Sequence, residues 1–164
     1  MPEKKMWLLY FARMDDEKWF WLILDMLNKF IQEYWEIPFS FYVFGKWKYV
    51  QDLLDLAAKY NSIHFFGWQS LETIQRYKDN CHYCLTPSTF LETFGLTAAN
   101  SLSMWLPAIG FSKWGLSQFV SNKYDISKAR WLDDSEKLYN LVKGLWEEHE
   151  QEKIDIQKER KKAE

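Results

Sequence analysis

The segment from Pro87 to Thr97 combines residue types that suit a phosphate or sugar ligand. It lies where an apolar, strand-like stretch ends and a helical pattern begins. A helix N-terminus offers free backbone N–H groups and the positive end of its dipole, and both favour phosphate or sugar oxygens. Gly95 permits close approach of a ligand to the backbone, and Glu92 can accept hydrogen bonds from hydroxyl groups. Glu92 and Thr93 could equally be ordinary capping and first-turn residues, so local chemistry leaves both interpretations open.

The two cysteines form a second candidate motif, Cys81-His82-Tyr83-Cys84. This spacing occurs in redox pairs and in half of a zinc site. The chain has no second cysteine pair, and its other histidines are only His64 and His149. The motif has a strand pattern, in which residues three apart point to opposite faces. We therefore predict two small buried hydrophobic residues in a reducing compartment, and no metal site.

Composition limits the classes of function that are open to the chain. Its 164 residues correspond to about one domain. With 21 Lys and Arg against 23 Asp and Glu, the net charge of −2 excludes a strongly basic nucleic-acid binder. No apolar run exceeds seven residues, too few for a membrane span and at the lower limit of a signal-peptide core. We expect a cytoplasmic protein without nucleic acid as a partner.

Apolar patterning alternates between strand and helix along the chain. Strands are predicted at Trp7–Ala12, Phe39–Phe44, Ser62–Phe66, His82–Thr86 and Leu106–Phe111, with a weaker one at Tyr124–Ala129. Helices are predicted at Phe20–Tyr34, Tyr49–Tyr60, Leu71–Lys78, Thr93–Met104, Gly115–Val120 and Ser135–Trp146. This alternation predicts an α/β fold, a doubly wound Rossmann-like parallel sheet with helices on both faces. Ligands of such sheets bind at the carboxyl ends of the strands, near a topological switch point.

We predict one domain over residues 1–146. Residues 147–164 follow as a charged helix or tail, since 12 of these 18 residues are charged.

Beyond these local features, segment 87–97 and the strand Leu106–Gly110 resemble a known family. They look like the C-terminal nucleotide-sugar-binding domain of family 4 (group 1) of the retaining GT-B glycosyltransferases. That family shows Pro-Ser, a Glu, Phe-Gly and a second Glu eight positions after the first, then an apolar strand and a Gly-Gly turn. Upstream, Tyr10–Lys18 resembles its Gly-Arg segment with a Lys five residues after the Arg, and Ile63–Gly67 resembles its strand ending in Phe-x-Gly. The resemblance covers roughly residues 6–145.

The resemblance implies three catalytic residues. Arg13 and Lys18 match the two cations that hold the donor diphosphate, and Glu92 matches the carboxylate that binds the donor sugar. Two cations at a strand end can neutralise a pyrophosphate and stabilise the charge that develops on the leaving group. Without the family, Arg13 and Lys18 would be interpreted as surface cations among the acidic residues 15–17.

The resemblance also implies a set of residues that bind the nucleotide sugar. Some face the sugar and phosphates and others lie near the nucleobase; the set is Gly67, Trp68, Phe94, Gly95, Leu96, Thr97, Asn100 and Gly115. Asn100 replaces the second carboxylate, which usually contacts the ribose, and it can form hydrogen bonds but carries no charge. Gln118 stands where many members have Glu, and Ala12 stands where they have Gly. We therefore expect weaker ribose binding.

Tryptophan is unusually frequent and glycine is scarce, with 10 and 6 of 164 residues. Trp19, Trp47, Trp105 and Trp114 occupy positions where the family has glycine. Glycine serves there because the backbone takes a positive φ or approaches the diphosphate closely. We expect the indoles of Trp19 and Trp114 to obstruct that approach.

Two hypotheses explain these tryptophans. In the first they represent UGA codons, which some uncultured bacterial lineages translate as glycine and other genetic codes as tryptophan. Trp21, Trp35 and Trp131 could belong to the same set, and glycine at all seven positions raises the glycine count from 6 to 13. Trp7, Trp68 and Trp146 stand at positions that suit an aromatic residue. In the second hypothesis a duplicated half-domain lost its function by drift and filled its cleft with aromatic side chains.

Two functions therefore remain open. The resemblance implies half of a hexosyltransferase that binds a UDP- or GDP-linked sugar, needs no cofactor and transfers the sugar with retention. Its acceptor-binding domain would be a separate or missing N-terminal partner, and peripheral membrane association could come through that half. The alternative is a degenerate, non-catalytic binding module whose cleft is obstructed by Trp19 and Trp114.

Overall fold

A single parallel sheet forms the centre of the molecule. The computed structural model describes residues 5–88, 96–128 and 133–163. In chain order the strands are β1 (Trp7–Phe11), β2 (Ser40–Phe44), β3 (Ile63–Phe65), β4 (Tyr83–Thr86) and β5 (Ala108–Gly110). Within the sheet they are arranged β3-β2-β1-β4-β5. The helices are α1 (Phe20–Tyr34), α2 (Val50–Lys59), α3 (Leu71–Gln75), α4 (Leu96–Ser103) and α5 (Asp134–Ala163). Short 3-10 turns lie at Lys78–Asn80, Trp114–Gln118, Asn122–Tyr124 and Ile126–Lys128.

Side chains of the central strands alternate between two hydrophobic clusters, one on each face of the sheet. In β1, Leu8 and Tyr10 belong to the cluster that also contains α1 and α5, whereas Leu9 and Phe11 belong to the cluster of α3. Successive residues of a strand point to opposite faces, so both faces of β1 are buried. A strand buried on both faces is a near-continuous apolar run, which explains why residues 7–11 lack a polar position.

The connections explain the distribution of the helices. The chain moves outward from β1 to β2 and β3 through α1 and α2, and then crosses to β4 and β5 through α3 and α4. Because strand–helix–strand connections are right-handed, this reversal of direction places α1 and α2 on one face and α3 and α4 on the other. The predicted doubly wound α/β fold with helices on both faces is therefore confirmed.

Helix α5 returns to the first face and packs beside α1. Lys143 Nζ lies 2.6 Å from Glu33 Oε1, and the Ser135 hydroxyl lies 2.9 Å from Asp25 Oδ2. Leu138, Val142 and Leu145 have spacings of four and three and are buried. Helix α5 continues beyond Trp146 to Ala163, so residues 147–163 extend the same helix.

Two predicted elements differ from the structure. The described part of the predicted sixth strand, residues 124–128, does not form a strand, and within it only an isolated bridge joins Asp125 to Gly110. Asp125 Oδ1 accepts hydrogen bonds from the backbone N–H groups of Ser112 (3.0 Å) and Ser127 (2.9 Å), which turns the chain instead of extending it. The predicted helix Gly115–Val120 is a 3-10 turn, Trp114–Gln118.

Both cysteines are buried, as the sequence predicts. They are free thiols, and burial raises the pKa of each thiol to about 12. The expectation that they point to opposite faces is wrong, because Cys81 precedes β4 and packs in the same cluster as Cys84.

Candidate functional site

The carboxyl ends of β1 and β4 define the switch point of the sheet. The two strands are neighbours, but the chain leaves them on opposite faces through α1 and α4. A crevice is expected between loops that diverge in this way. The structure has a small cavity of about 20 Å³ there, lined by Tyr10, Ala12, Lys18, Leu85, Thr86, Pro87, Ser88, Thr97 and Leu116. Its volume is that of about one water molecule, so a nucleotide sugar would have to lie at its rim.

Of the predicted site residues, Lys18 and Thr97 meet at this cavity. Thr97 lies in the first turn of α4, and Lys18 lies just before α1, so each comes from the start of a helix that follows a central strand. Asn100 lies one turn further along α4, is half-buried and is not part of the cavity lining. Leu96 begins α4, while Glu92, Phe94 and Gly95 lie outside the described residues.

Arg13 lies in the same loop as Lys18 but is held by its own acidic neighbours. Its Nη2 lies 2.9 Å from Glu17 Oε2, and its Nε lies 3.4 Å from Asp15 Oδ2. The hydrogen bond that Arg13 donates to Glu17, followed by the charge of Asp15, raises the pKa of the Arg13 guanidinium, which therefore stays charged. A diphosphate would have to compete with these two carboxylates for Arg13.

The loop after β1 is fixed by the loops on either side of it. On one side the Ser88 hydroxyl donates to the carbonyl oxygen of Glu17 at 3.0 Å. On the other side Asp16 accepts hydrogen bonds from Lys48 and from the Tyr49 hydroxyl. The Lys48 ammonium, followed by the Tyr49 hydroxyl, lowers the pKa of Asp16. Sequence patterns did not identify these roles of Ser88 and Asp16, since the partners are 71 and 32 residues apart.

Gly45 allows the loops after β1 and β2 to approach each other closely. A Cβ atom at this position would lie 2.5 Å from the carbonyl oxygen of Ala12 and 2.9 Å from Met14 Cγ. The Gly45 N–H donates to the carbonyl oxygen of Gly67 at 3.0 Å, which connects the ends of β2 and β3. Gly67 has a left-handed backbone, with φ of 72°. Glycine at 45 and 67 is therefore required by approach and by conformation, respectively.

A pair of exposed indoles lies beyond the ends of β2 and β3. Trp47 and Trp68 are each 58% exposed, and the Lys46 ammonium lies 5.0 and 5.1 Å from their ring centroids. These distances are within the range of cation–π contacts. Trp68 is a predicted site residue, and Lys46 is a neighbour that sequence analysis did not select.

The backbone at four tryptophans is left-handed. The φ angles are 53° at Trp19, 60° at Trp35, 96° at Trp47 and 62° at Trp105. For residues with a side chain this conformation costs roughly 1–2 kcal/mol each. Trp114 begins a 3-10 turn and Trp21 lies inside α1, and neither has a positive φ. Trp131 lies outside the described residues.

The indole of Trp19 packs beside the carboxyl end of β5. Its ring centroid lies 5.6 Å from that of Phe111 in an edge-to-face arrangement and 5.5 Å from that of Trp21. Trp19 is half-buried and is not in the lining of the switch-point cavity. Gly115, a predicted site residue, lies in the 3-10 turn that follows β5, next to Leu116 of the cavity lining.

The described part of the chain holds neither a candidate metal site nor a helix that could span a membrane. Residues 5–88, 96–128 and 133–163 contain no group of three or more His, Cys, Asp or Glu side chains that could hold a metal ion. In the same ranges, no helix combines the length and the apolar character that crossing a membrane requires.

The doubly wound sheet has the fold of one half of a GT-B glycosyltransferase. The protein-family model described as glycosyl transferases group 1 matches residues 5–148, and the chain belongs to this family. Comparison with curated proteins gives no match.

Solved structures share the fold. The pneumococcal O-GlcNAc transferase GtfA, solved with UDP and GlcNAc, is 24% identical with a TM-score of 0.68 over 90% of this chain and 30% of that chain. A glycosyltransferase from Rickettsia africae is 18% identical with a TM-score of 0.66, over 87% of this chain and 38% of that chain. The lipopolysaccharide outer core galactosyltransferase WaaB is 18% identical with a TM-score of 0.63, over 87% and 41%. The chain thus spans less than half the length of these proteins.

Proposed function

We propose that this chain is the donor-binding half of a retaining glycosyltransferase and holds a nucleotide-diphosphate sugar at the carboxyl ends of β1 and β4. The observation that carries the proposal is the convergence of Lys18 and Thr97 on the switch-point cavity of a sheet that belongs to a glycosyltransferase family. The solved relative GtfA, whose fold matches, was crystallised with UDP and GlcNAc, which supports a nucleotide sugar as ligand class.

Lys18 and the start of α4 suit the diphosphate. Lys18 supplies a positive charge at the cavity, and Thr97 of the first turn of α4 lines the same cavity. Because the free N–H groups of a helix point out of its N-terminus, those at the start of α4 would face the same ligand. A phosphate held between an ammonium and a helix N-terminus gains both charge and hydrogen bonds. Charge that develops on the leaving diphosphate is stabilised by the same groups, which is the main electrostatic contribution to such a reaction.

The other residues would have more distant roles. Arg13 would release Glu17 or Asp15 to reach the diphosphate, and Glu92 would bind sugar hydroxyls. Phe94, Gly95 and Leu96 would face sugar and phosphate. Asn100 would meet the ribose, Gly115 would allow close approach beside β5, and Gly67 with Trp68 would border the nucleobase. The exposed indole of Trp68 suits stacking on a base.

Transfer requires an acceptor held beside the donor, because proximity supplies much of the rate. The chain matches only 30% of the length of GtfA, and GtfA was also solved in a GtfA/B complex. We propose that residues 1–146 bind the donor and that another domain or chain binds the acceptor. Retention at the anomeric carbon belongs to that complete assembly.

A second candidate is a non-catalytic binding module. The observation that favours it is the small volume at the switch point, about 20 Å³, with Trp19 packed on Phe111 nearby. In this case the indole of Trp19 would occupy space beside the former cleft, next to β5.

Calorimetric titration with UDP-GlcNAc, GDP-mannose and the free nucleoside diphosphates tests the proposal. We expect the ligands of one nucleobase, uracil or guanine, to bind with a micromolar Kd. Lys18→Ala should weaken this binding about 10- to 100-fold, since a charge-assisted hydrogen bond contributes about 1.5–3 kcal/mol. Lys59→Ala is the control, because Lys59 ends α2, at the opposite end of the sheet. Equal affinity of wild type and Lys18→Ala would contradict the assigned role. Absence of binding by wild type and by Trp19→Gly would favour the non-catalytic module.

A further inference from the structure

Left-handed backbone in this chain is concentrated at tryptophan. Among the residues described, only five have a positive φ: one is Gly67, and the others are Trp19, Trp35, Trp47 and Trp105. Glycine adopts this conformation without steric cost, while a residue with a Cβ atom rarely does so, and a bulky one is an outlier. Four outliers of a single residue type need a common explanation.

Two of the four tryptophans close helices in the way that glycine does. The Trp105 N–H donates to the carbonyl oxygen of Leu102, and the Leu106 N–H donates to that of Ser101, which together form a Schellman motif after α4. The Trp35 N–H donates to the carbonyl oxygen of Ile31 at 2.9 Å, the single bond of the simpler left-handed motif after α1. In both motifs the left-handed position is the preferred place of glycine.

The indoles at these positions contribute little packing. Trp35 is 87% exposed and Trp105 is 90% exposed. In contrast, Trp7 packs on Tyr42 with ring centroids 4.5 Å apart, and Trp146 packs on Tyr34 at 5.1 Å. Neither Trp7 nor Trp146 has a positive φ. Packing therefore explains tryptophan at 7 and 146, but not at 35 and 105.

We infer that positions 19, 35, 47 and 105 are glycine in the protein as its own cells make it, with a UGA codon translated as glycine at all four. The inference rests on backbone conformation and helix termination and does not depend on the proposed function. It does not extend to Trp21 and Trp114, whose backbone is helical. Trp7, Trp68 and Trp146 remain tryptophan.

Peptide mass spectrometry of the protein isolated from the cells that carry the gene tests the inference directly. We expect glycine masses in the peptides that contain positions 19, 35, 47 and 105, and tryptophan masses at 7, 68 and 146. Tryptophan at the four positions would overturn the inference.

A second test uses recombinant protein and a matched pair of tryptophans. Trp47 and Trp68 are equally exposed and both contact Lys46, but only Trp47 has a left-handed φ. We expect Trp47→Gly to melt at least about 2 °C above Trp47→Ala, because alanine keeps the strain that glycine removes. At position 68 the order is reversed, with Trp68→Gly melting below Trp68→Ala.

The same comparison at 35 and 105 extends the test to two exposed helix ends, where loss of side-chain packing is negligible. Glycine no more stable than alanine at 35, 47 and 105 would overturn the inference. No nucleotide enters either measurement, so a negative result here is distinct from failure of the proposed donor site.

Discussion

The hydroxyl of Ser88 donates a hydrogen bond to the carbonyl oxygen of Glu17 at 3.0 Å, and this bond joins the loops that follow β4 and β1. Ser88 is 5% exposed and Glu17 is exposed, so this hydrogen bond is partly buried. The two loops border the switch-point cavity, and Lys18 follows Glu17 directly. The Ser88–Glu17 bond therefore fixes the backbone from which the Lys18 side chain projects.

Ser88→Ala should destabilise the fold by about 0.5–1.5 kcal/mol, because it removes a partly buried hydrogen bond between two loops. Chemical denaturation measures this difference. Ser103→Ala is the control, since the Ser103 hydroxyl also donates to a backbone carbonyl oxygen, that of Asn100 at 2.7 Å, but on an exposed surface. Equal losses of unfolding free energy in the two variants would show that the burial of Ser88 does not strengthen its hydrogen bond with Glu17.

Gly45→Ala should destabilise the protein by about 1–3 kcal/mol, since the new Cβ would meet the carbonyl oxygen of Ala12 at 2.5 Å. Gly144→Ala provides the opposite case. No atom lies within 4 Å of a Cβ at Gly144, which is in α5, and alanine there should stabilise by about 0.5–1 kcal/mol. Denaturant midpoints of the two variants should therefore move in opposite directions, and movement in the same direction would refute this account.

The Asp16–Lys48 ion pair should make stability depend on acid pH. Lys48 lowers the pKa of Asp16 in the folded protein, so the stabilisation is complete above the unfolded pKa and is lost as the pH falls through the lowered folded value. The difference in unfolding free energy between wild type and Asp16→Asn should therefore be constant near neutral pH and shrink in acid. Lys48→Met should abolish most of this pH dependence; its persistence in that variant would rule out Lys48 as the main cause.

Trp19→Gly should increase affinity for the nucleotide sugar if the proposed donor site is correct. The substitution removes an indole beside β5 and relieves the left-handed backbone at the start of α1. Trp21→Gly is the control, because Trp21 contacts Trp19 but has helical backbone. Glycine there should cost more than about 1 kcal/mol of stability, since helix propensity and packing against the core are both lost, and should leave affinity unchanged. Titration of both variants with the same nucleotide sugar makes the comparison, and equal affinities would refute the effect of Trp19.

The sequence predicts elements whose apolar spacing is regular. The bounds of α1, Phe20–Tyr34, agree with the predicted helix because six buried side chains repeat along one face. The strand expected at Tyr124–Ala129 is absent from its described part, residues 124–128, since the side chain of Asp125 accepts hydrogen bonds from backbone N–H groups that a strand would use in the sheet. Hydrophobic patterning does not show that a side chain competes with the sheet for these backbone N–H groups.

The candidate site was predicted only in part. Lys18 and Thr97 could be placed together because both follow central strands. The carboxylates around Arg13 are adjacent in sequence, but their two contacts with its guanidinium depend on side-chain geometry. The ligand-binding roles of Asn100 and Gly115 stay predictions. The same holds for the roles of Glu92, Phe94 and Gly95.

Both outer strands of the sheet, β3 and β5, have only three residues. Each therefore exposes few backbone hydrogen-bonding groups to which a strand of another molecule could add. On the β5 side, the bridge between Gly110 and Asp125 occupies part of that small row. The sheet is thus a poor template for growth by strand addition, and aggregation of this aromatic-rich chain should begin elsewhere than at its sheet margins.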